Sequence, residues 1–157
     1  MKKIFLLVPL MFIGCSVSNT STKIGYFTKC YINKILAPFW VCYQSPFVSI
    51  GKIYTKKFNK LKQEEAYSVA ISELYLKLQT KTKLFLRKLG KKNENIVNKV
   101  KDFVILNAVL EDSWYNQNEY MLYVKVAVNK EEFKKFLFNE LKDIDKKILE
   151  TTFNETF

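Results

Sequence analysis

Apolar and polar positions alternate most regularly over residues 120–128. Tyr120, Leu122, Val124, Val126 and Val128 share one face at a period of two, and Met121, Tyr123, Lys125 and Ala127 take the other. Asn116, Gln117 and Asn118 supply turn chemistry just before this segment. The apolar run 103–115 ahead of them reads as the partner strand, so the pair is an antiparallel hairpin. An earlier strand is expected over residues 47–58, where Phe47, Val48, Ile50, Ile53 and Tyr54 favour extended chain. Gly51 in its middle points to a bulge or to close packing against another element.

Helical spacing dominates elsewhere. Tyr67, Ile71, Leu74, Leu78, Phe85 and Leu89 recur at three, four or seven residues and predict a long helix over 62–89. Ala66 and Ala70 beside that stripe allow close approach, Gly90 is a C-terminal stop, and Thr80 and Thr82 mark a break or an exit from the sheet surface. Ile96, Val97 and Val100 predict a short helix over 93–101. Asn129, with Glu132 three residues on, opens a last helix as a capping box. Phe133, Leu137, Leu141, Ile144 and Ile148 continue that helix as one stripe. Pro38 and Pro46 bracket Phe39–Tyr43, which reads as a short strand or extended segment. Residues 24–41 read as extended or partly ordered chain. The sum is an α+β domain: a small antiparallel sheet of three to four strands, with a long helix and a C-terminal helix packed on it.

The first fifteen residues follow another logic. Lys2 and Lys3 precede an apolar run over 4–13, too short to span a bilayer as a stable helix, and Gly14-Cys15 closes it. This is the pattern of a lipoprotein signal: the Cys15 thiol takes diacylglycerol, and cleavage after the small Gly14 leaves an acylated Cys15 as the first mature residue. No other cofactor is implied. The organisation is then a signal peptide at 1–14, a lipidated cysteine and tether at 15–37, one domain at 38–150 and a polar, aromatic tail at 151–157. Ser16 follows the cysteine where inner-membrane retention uses Asp, so the expected location is the outer membrane, on its periplasmic or its surface face.

Charge narrows the partners. The chain has 157 residues, with 26 basic and 15 acidic side chains. Lys2 and Lys3 leave with the leader, so 24 basic and 15 acidic residues remain and the net charge is +9. Export takes the chain away from nucleic acid and leaves anionic lipid or lipopolysaccharide phosphates as candidate partners. Seven cations and no acid lie between residues 74 and 93. Lys77, Lys81, Lys88 and Lys92 repeat at four, seven and four residues and share a helix face, either a solvated face whose stems cover apolar surface or an anion-binding stripe. An exposed strand edge, or Phe39 and Trp40, could serve self-association or an envelope protein partner.

Catalytic chemistry finds little support. The chain has no His, the commonest general base and metal ligand. Glu111 and Asp112 are neighbours on a strand and point to opposite faces. Cys30 and Cys42 lack the further ligands zinc needs; in an exported chain they can bridge, or stay two thiols. Neither a catalytic set nor a metal site is expected.

From Pro38-Phe39-Trp40-Val41 onward the chain resembles the Lpp-twenty family of twenty-kilodalton bacterial outer-membrane lipoproteins. The matching features are Pro-x-Trp at Pro38 and Trp40, an aromatic strand with Gly51, Ala66 and Ala70 at four-residue spacing, and the late hairpin core Leu122-Tyr123-Val124-Lys125-Val126. The order covers residues 38–149, with Leu74 standing where the family usually adds a further alanine. The resemblance implies helices on a curved antiparallel sheet, outer-membrane anchorage and no catalytic motif. It implies a structural or protein-interaction role in the envelope or, as the alternative, assembly or scaffolding of a flagellar-motor disk or secretion ring.

Overall fold

The computed structural model describes residues 29–43 and 45–157; the leader, Gly14, Cys15 and the residues up to 28 lie outside them. In chain order the elements are β1 (Cys30–Ile32), β2 (Ile35–Ala37), a 3-10 turn (Phe39–Val41), β3 (Val48–Tyr54), α1 (Lys60–Lys88), α2 (Glu94–Asn107), β4 (Val109–Asn116), β5 (Met121–Ala127), α3 (Lys130–Glu140) and α4 (Lys146–Thr156). The fold is α+β. One antiparallel sheet has the order β3-β5-β4, and β1 pairs with β2 in a separate hairpin.

The alternation of β5 decides the layering. Leu122, Val124, Val126 and Val128 are buried in the main core, which they form with the helices. Tyr123, on the opposite face, is buried in a second cluster with Cys30, Ala37 and Val41, against which Trp40, Ile50 and Trp114 pack. The first hairpin and the 3-10 turn therefore cover the face of the sheet that the helices leave open. Asn33 and Lys34 make the tight turn of that hairpin with φ of 44° and 68°, the mirror-image turn that suits the twist of antiparallel strands. The Asn33 side chain donates to Glu119 in the β4–β5 turn, and Trp40 Nε1 donates to Asp112 at 2.7 Å. β1 and β2 thus lie inside the segment read as tether, and the stretch read as extended around Trp40 is a 3-10 turn.

α1 lies directly on β3. A Cβ on Gly51 would fall on the carbonyl oxygen of Ala66 and within 2.9 Å of the Ala70 nitrogen. Close packing, one of the two readings of this glycine, is the one realised. Asn59 caps α1 by accepting from the Lys62 N–H at 2.9 Å. The helix runs without a break past Thr80 and Thr82, and Thr82 is buried. It stops where expected: Gly90 has φ 69°, and the Lys91 N–H returns to the Leu86 carbonyl at 2.9 Å, a glycine-dependent C-terminal closure.

Three expectations need correcting. The strand read over 103–115 begins only at Val109, because Val104 continues the helical series Ile96, Val97, Val100 and all four are buried. β-favouring Phe103, Val104 and Ile105 resemble a strand in composition, but tertiary burial at a period of 3.6 overrides propensity. The single last helix is two. α3 ends at Glu140, and Asp145 caps α4 by accepting from Lys147 and Ile148 at 2.9 and 3.2 Å. The restart changes the phase, so Leu149 and Phe153 face the core while Ile148 is 54% exposed. The tail at 151–157 is the second half of α4, and its aromatics are structural. The Phe153 ring centroid lies 4.7 Å from that of Phe157, and Phe157 lies 5.7 Å from Phe47 and 5.5 Å from Phe133.

Candidate functional site

Cys30 and Cys42 are joined by a disulfide with a Cα separation of 5.7 Å. It fixes the first hairpin to the turn that carries Trp40, at the point where the described chain begins. A cross-link over a sequence separation of 12 restricts the unfolded chain by about 3 kcal/mol. Replacing both cysteines by alanine is expected to lower stability by about that amount, read as a shift in the urea midpoint. A change below about 1 kcal/mol would mean that the hairpin is held by its packing alone.

The four lysines at helical spacing do not form one free cationic face. Lys77 Nζ donates to the carbonyls of Val48 at 2.6 Å and Ser45 at 3.2 Å. Burial pushes this ammonium below the ordinary lysine value, and the Glu73 carboxylate pulls it partly back. Lys81 Nζ donates to the Thr156 carbonyl at 2.8 Å, and Lys88 Nζ to the carbonyl and carboxylate of Glu155 at 3.3 and 3.4 Å. These two ammoniums sit on the carbonyl end of α4, where helix carbonyls lack internal partners and the dipole favours a cation. Lys92 lies apart, beyond Gly90. The spacing therefore orders three lysines for intramolecular docking, and the partner carbonyls on β3 and α4 could not be read from it.

A cleft of about 630 Å³ opens beside Lys77, between the outer edge of β3 and α1. Ser49 donates into it, to Glu73 at 3.3 Å. The backbone edge beside it is a potential pairing surface. Val128 N–H donates to the Phe47 carbonyl and Thr55 N–H to that of Tyr120, so in the antiparallel register the polar backbone of residues 48, 50, 52 and 54 turns away from β5. Two contacts blunt that edge: the Lys77 ammonium occupies the Val48 carbonyl, and the Val48 N–H donates to the Ser45 carbonyl at 3.4 Å. The β4 edge is interrupted by a register shift between Leu110 and Asp112, where Glu111 pairs with Lys125 at 2.6 Å.

One group of exposed apolar residues lies at the α2–β4 corner. Ile105, Leu106, Val109 and Leu110 are all exposed there, Leu106 by 81%. Tyr67 Oη holds the corner to α1 by donating to the Ala108 carbonyl at 3.1 Å. Among the described residues, no group of three or more His, Cys, Asp or Glu is placed to hold a metal ion, and no helix is long and apolar enough to cross a membrane. Comparison with protein-family models and with curated proteins finds no match to this chain.

Proposed function

We propose that this chain is a lipid-anchored lipoprotein of the bacterial outer membrane with a structural or protein-interaction role and no catalysis. The supporting observation is the order of features along the chain. A basic leader and an apolar run end at Gly14-Cys15, and fifteen residues later Cys30 enters a disulfide with Cys42, a bond suited to an oxidising, exported compartment. Fully extended, the chain between Cys15 and Cys30 reaches at most about 50 Å, so an anchored body stays beside its membrane. The resemblance to the Lpp-twenty family belongs to the same reading.

The exposed corner of Ile105, Leu106, Val109 and Leu110 supports a protein-contact role, because exposed apolar clusters mark contact surfaces; the alternative, an assembly or scaffold factor of a flagellar-motor disk or secretion ring, rests on the family resemblance. The anchor has a direct test. Cys15→Ser is expected to accumulate as an uncleaved, unlipidated precursor on sucrose-gradient fractionation. Recovery of that variant at mature size in the outer membrane would contradict the reading. A deletion strain with normal motility and normal motor structure would remove the flagellar version alone.

A further inference from the structure

The cationic run that ends α1 divides in two. Its first part is engaged within the fold, as Lys77, Lys81 and Lys88 show. Its second part is gathered by the turn at Gly90. The positive φ of this residue and the return of the Lys91 N–H to Leu86 reverse the chain, and Lys91 and Lys92 then face the same cleft as Lys83 and Arg87 of the preceding helix. That cleft, about 350 Å³, has these four cations and one acid, Glu94, around a floor that includes Leu86 and Val97.

The charge there is only partly compensated. Lys83 approaches Glu94 at 4.0 Å, the outer limit of an ion pair, and Lys91 pairs with Asp143 at 2.7 Å. Arg87 and Lys92 make no ion pair among the described residues and both are exposed. Four cations against two acids leave an excess of positive charge around a concave surface, with room for a phosphate group and the atoms that carry it. Arg87 adds the planar donor fork that matches two phosphate oxygens at once, and lysines serve the same anion as point charges. The start of α2 lies at the same cleft and adds a weaker positive potential, which Glu94 opposes.

We propose that the cleft between the end of α1 and the start of α2 is a phosphate-binding site, with Arg87 and Lys92 as its principal ligands and Lys83 and Lys91 as supporting charges. The group bound is a phosphate ester or phosphate ion, from an anionic phospholipid headgroup or from free solution. The assignment does not depend on the lipid anchor.

Calorimetric titration of the full chain in neutral detergent tests it, with inorganic phosphate in one arm and short-chain phosphatidylglycerol in the other. Saturable binding in either arm is expected, weakening as salt rises because exposed charges are screened beyond about 10 Å at 0.1 M. The double variant Arg87→Gln, Lys92→Gln should lose at least tenfold in affinity. A control pair, Lys56→Gln with Lys57→Gln, removes the same charge from an exposed loop and should change affinity less than twofold. All four side chains are exposed, so thermal melts of both variants should overlay the parent. Binding of phosphate alone would assign the site to the free ion, and binding of the lipid alone to a headgroup. No saturable binding in either arm, or equal losses in the two double variants, would overturn the proposal.

Discussion

Gly51→Ala is expected to cost the domain about 3–5 kcal/mol, a large share of the stability of an ordinary domain. The added methyl would meet the Ala66 carbonyl oxygen, with the carbonyl carbon of Ala66 and the nitrogen of Ala70 at 2.8 and 2.9 Å. These are backbone atoms of a helix, so no side-chain rotation relieves the contact. α1 must lift from β3, and lifting it opens the layer in which Ala66, Ala70, Leu74 and Leu78 are fully buried. Overpacking of a flexible core usually costs 1–3 kcal/mol; a rigid helix backbone in contact places this change at or above that range. Urea denaturation followed by circular dichroism measures it. A loss below about 1 kcal/mol would mean that α1 does not sit on Gly51.

The second large effect is expected at Phe153. Its ring is fully buried and stacks on Phe157, with Phe47, Phe85 and Phe138 also in contact range at 6.4, 6.2 and 6.1 Å between centroids. Lys130 and Lys134 lie over the same ring at 5.9 and 6.0 Å. Phe153→Ala removes a core aromatic and leaves a cavity, for about 3–5 kcal/mol. Ile148→Ala makes the informative comparison. On a single unbroken last helix Ile148 would continue the buried stripe and its truncation would be costly. With the restart at Asp145 it is exposed, and the loss should stay within about 0.5 kcal/mol, as for surface positions. A costly Ile148→Ala with a mild Phe153→Ala would restore the single-helix arrangement.

The contrast between these residues shows which features the sequence makes legible. Local signals that depend on one residue type carry through: the Gly90 stop, the Asn129 cap, which accepts from Glu131 and Glu132 at 2.8 and 3.2 Å, and the two-residue alternation of β5. Signals that depend on where a period stops do not. Val104 fits both a strand of β-favouring residues and the helical series from Ile96, and only its burial against the core separates the two. Asp145 carries the chemistry of an N-cap, but its neighbours Ile144 and Ile148 extend an apparently continuous stripe that masks the restart. The first hairpin is short, with three residues in each strand, and has no period to read; the sequence offers Cys30 and Cys42 as a pair that can bridge, but not the strands that the formed bridge and Tyr123 hold together.

The surface chemistry was legible to the same partial degree. A run of seven cations without an acid is visible in the sequence, and helical spacing singles out Lys77, Lys81, Lys88 and Lys92. What those side chains reach is a tertiary property. Lys81 and Lys88 meet the end of a helix more than sixty residues away, at Thr156 and Glu155. Arg87 and Lys92, which make no ion pair among the described residues, are brought to one cleft across the turn at Gly90 that the sequence announces.

The central claim is that Cys15 becomes the lipid-bearing first residue of the mature protein. Mass spectrometry of the protein extracted from its native membrane, read on the N-terminal peptide, tests it most directly. The account predicts a peptide that begins at Cys15 and carries diacylglycerol on the thiol. A mature protein that begins at Met1, or at Cys15 with an unmodified thiol, would contradict it.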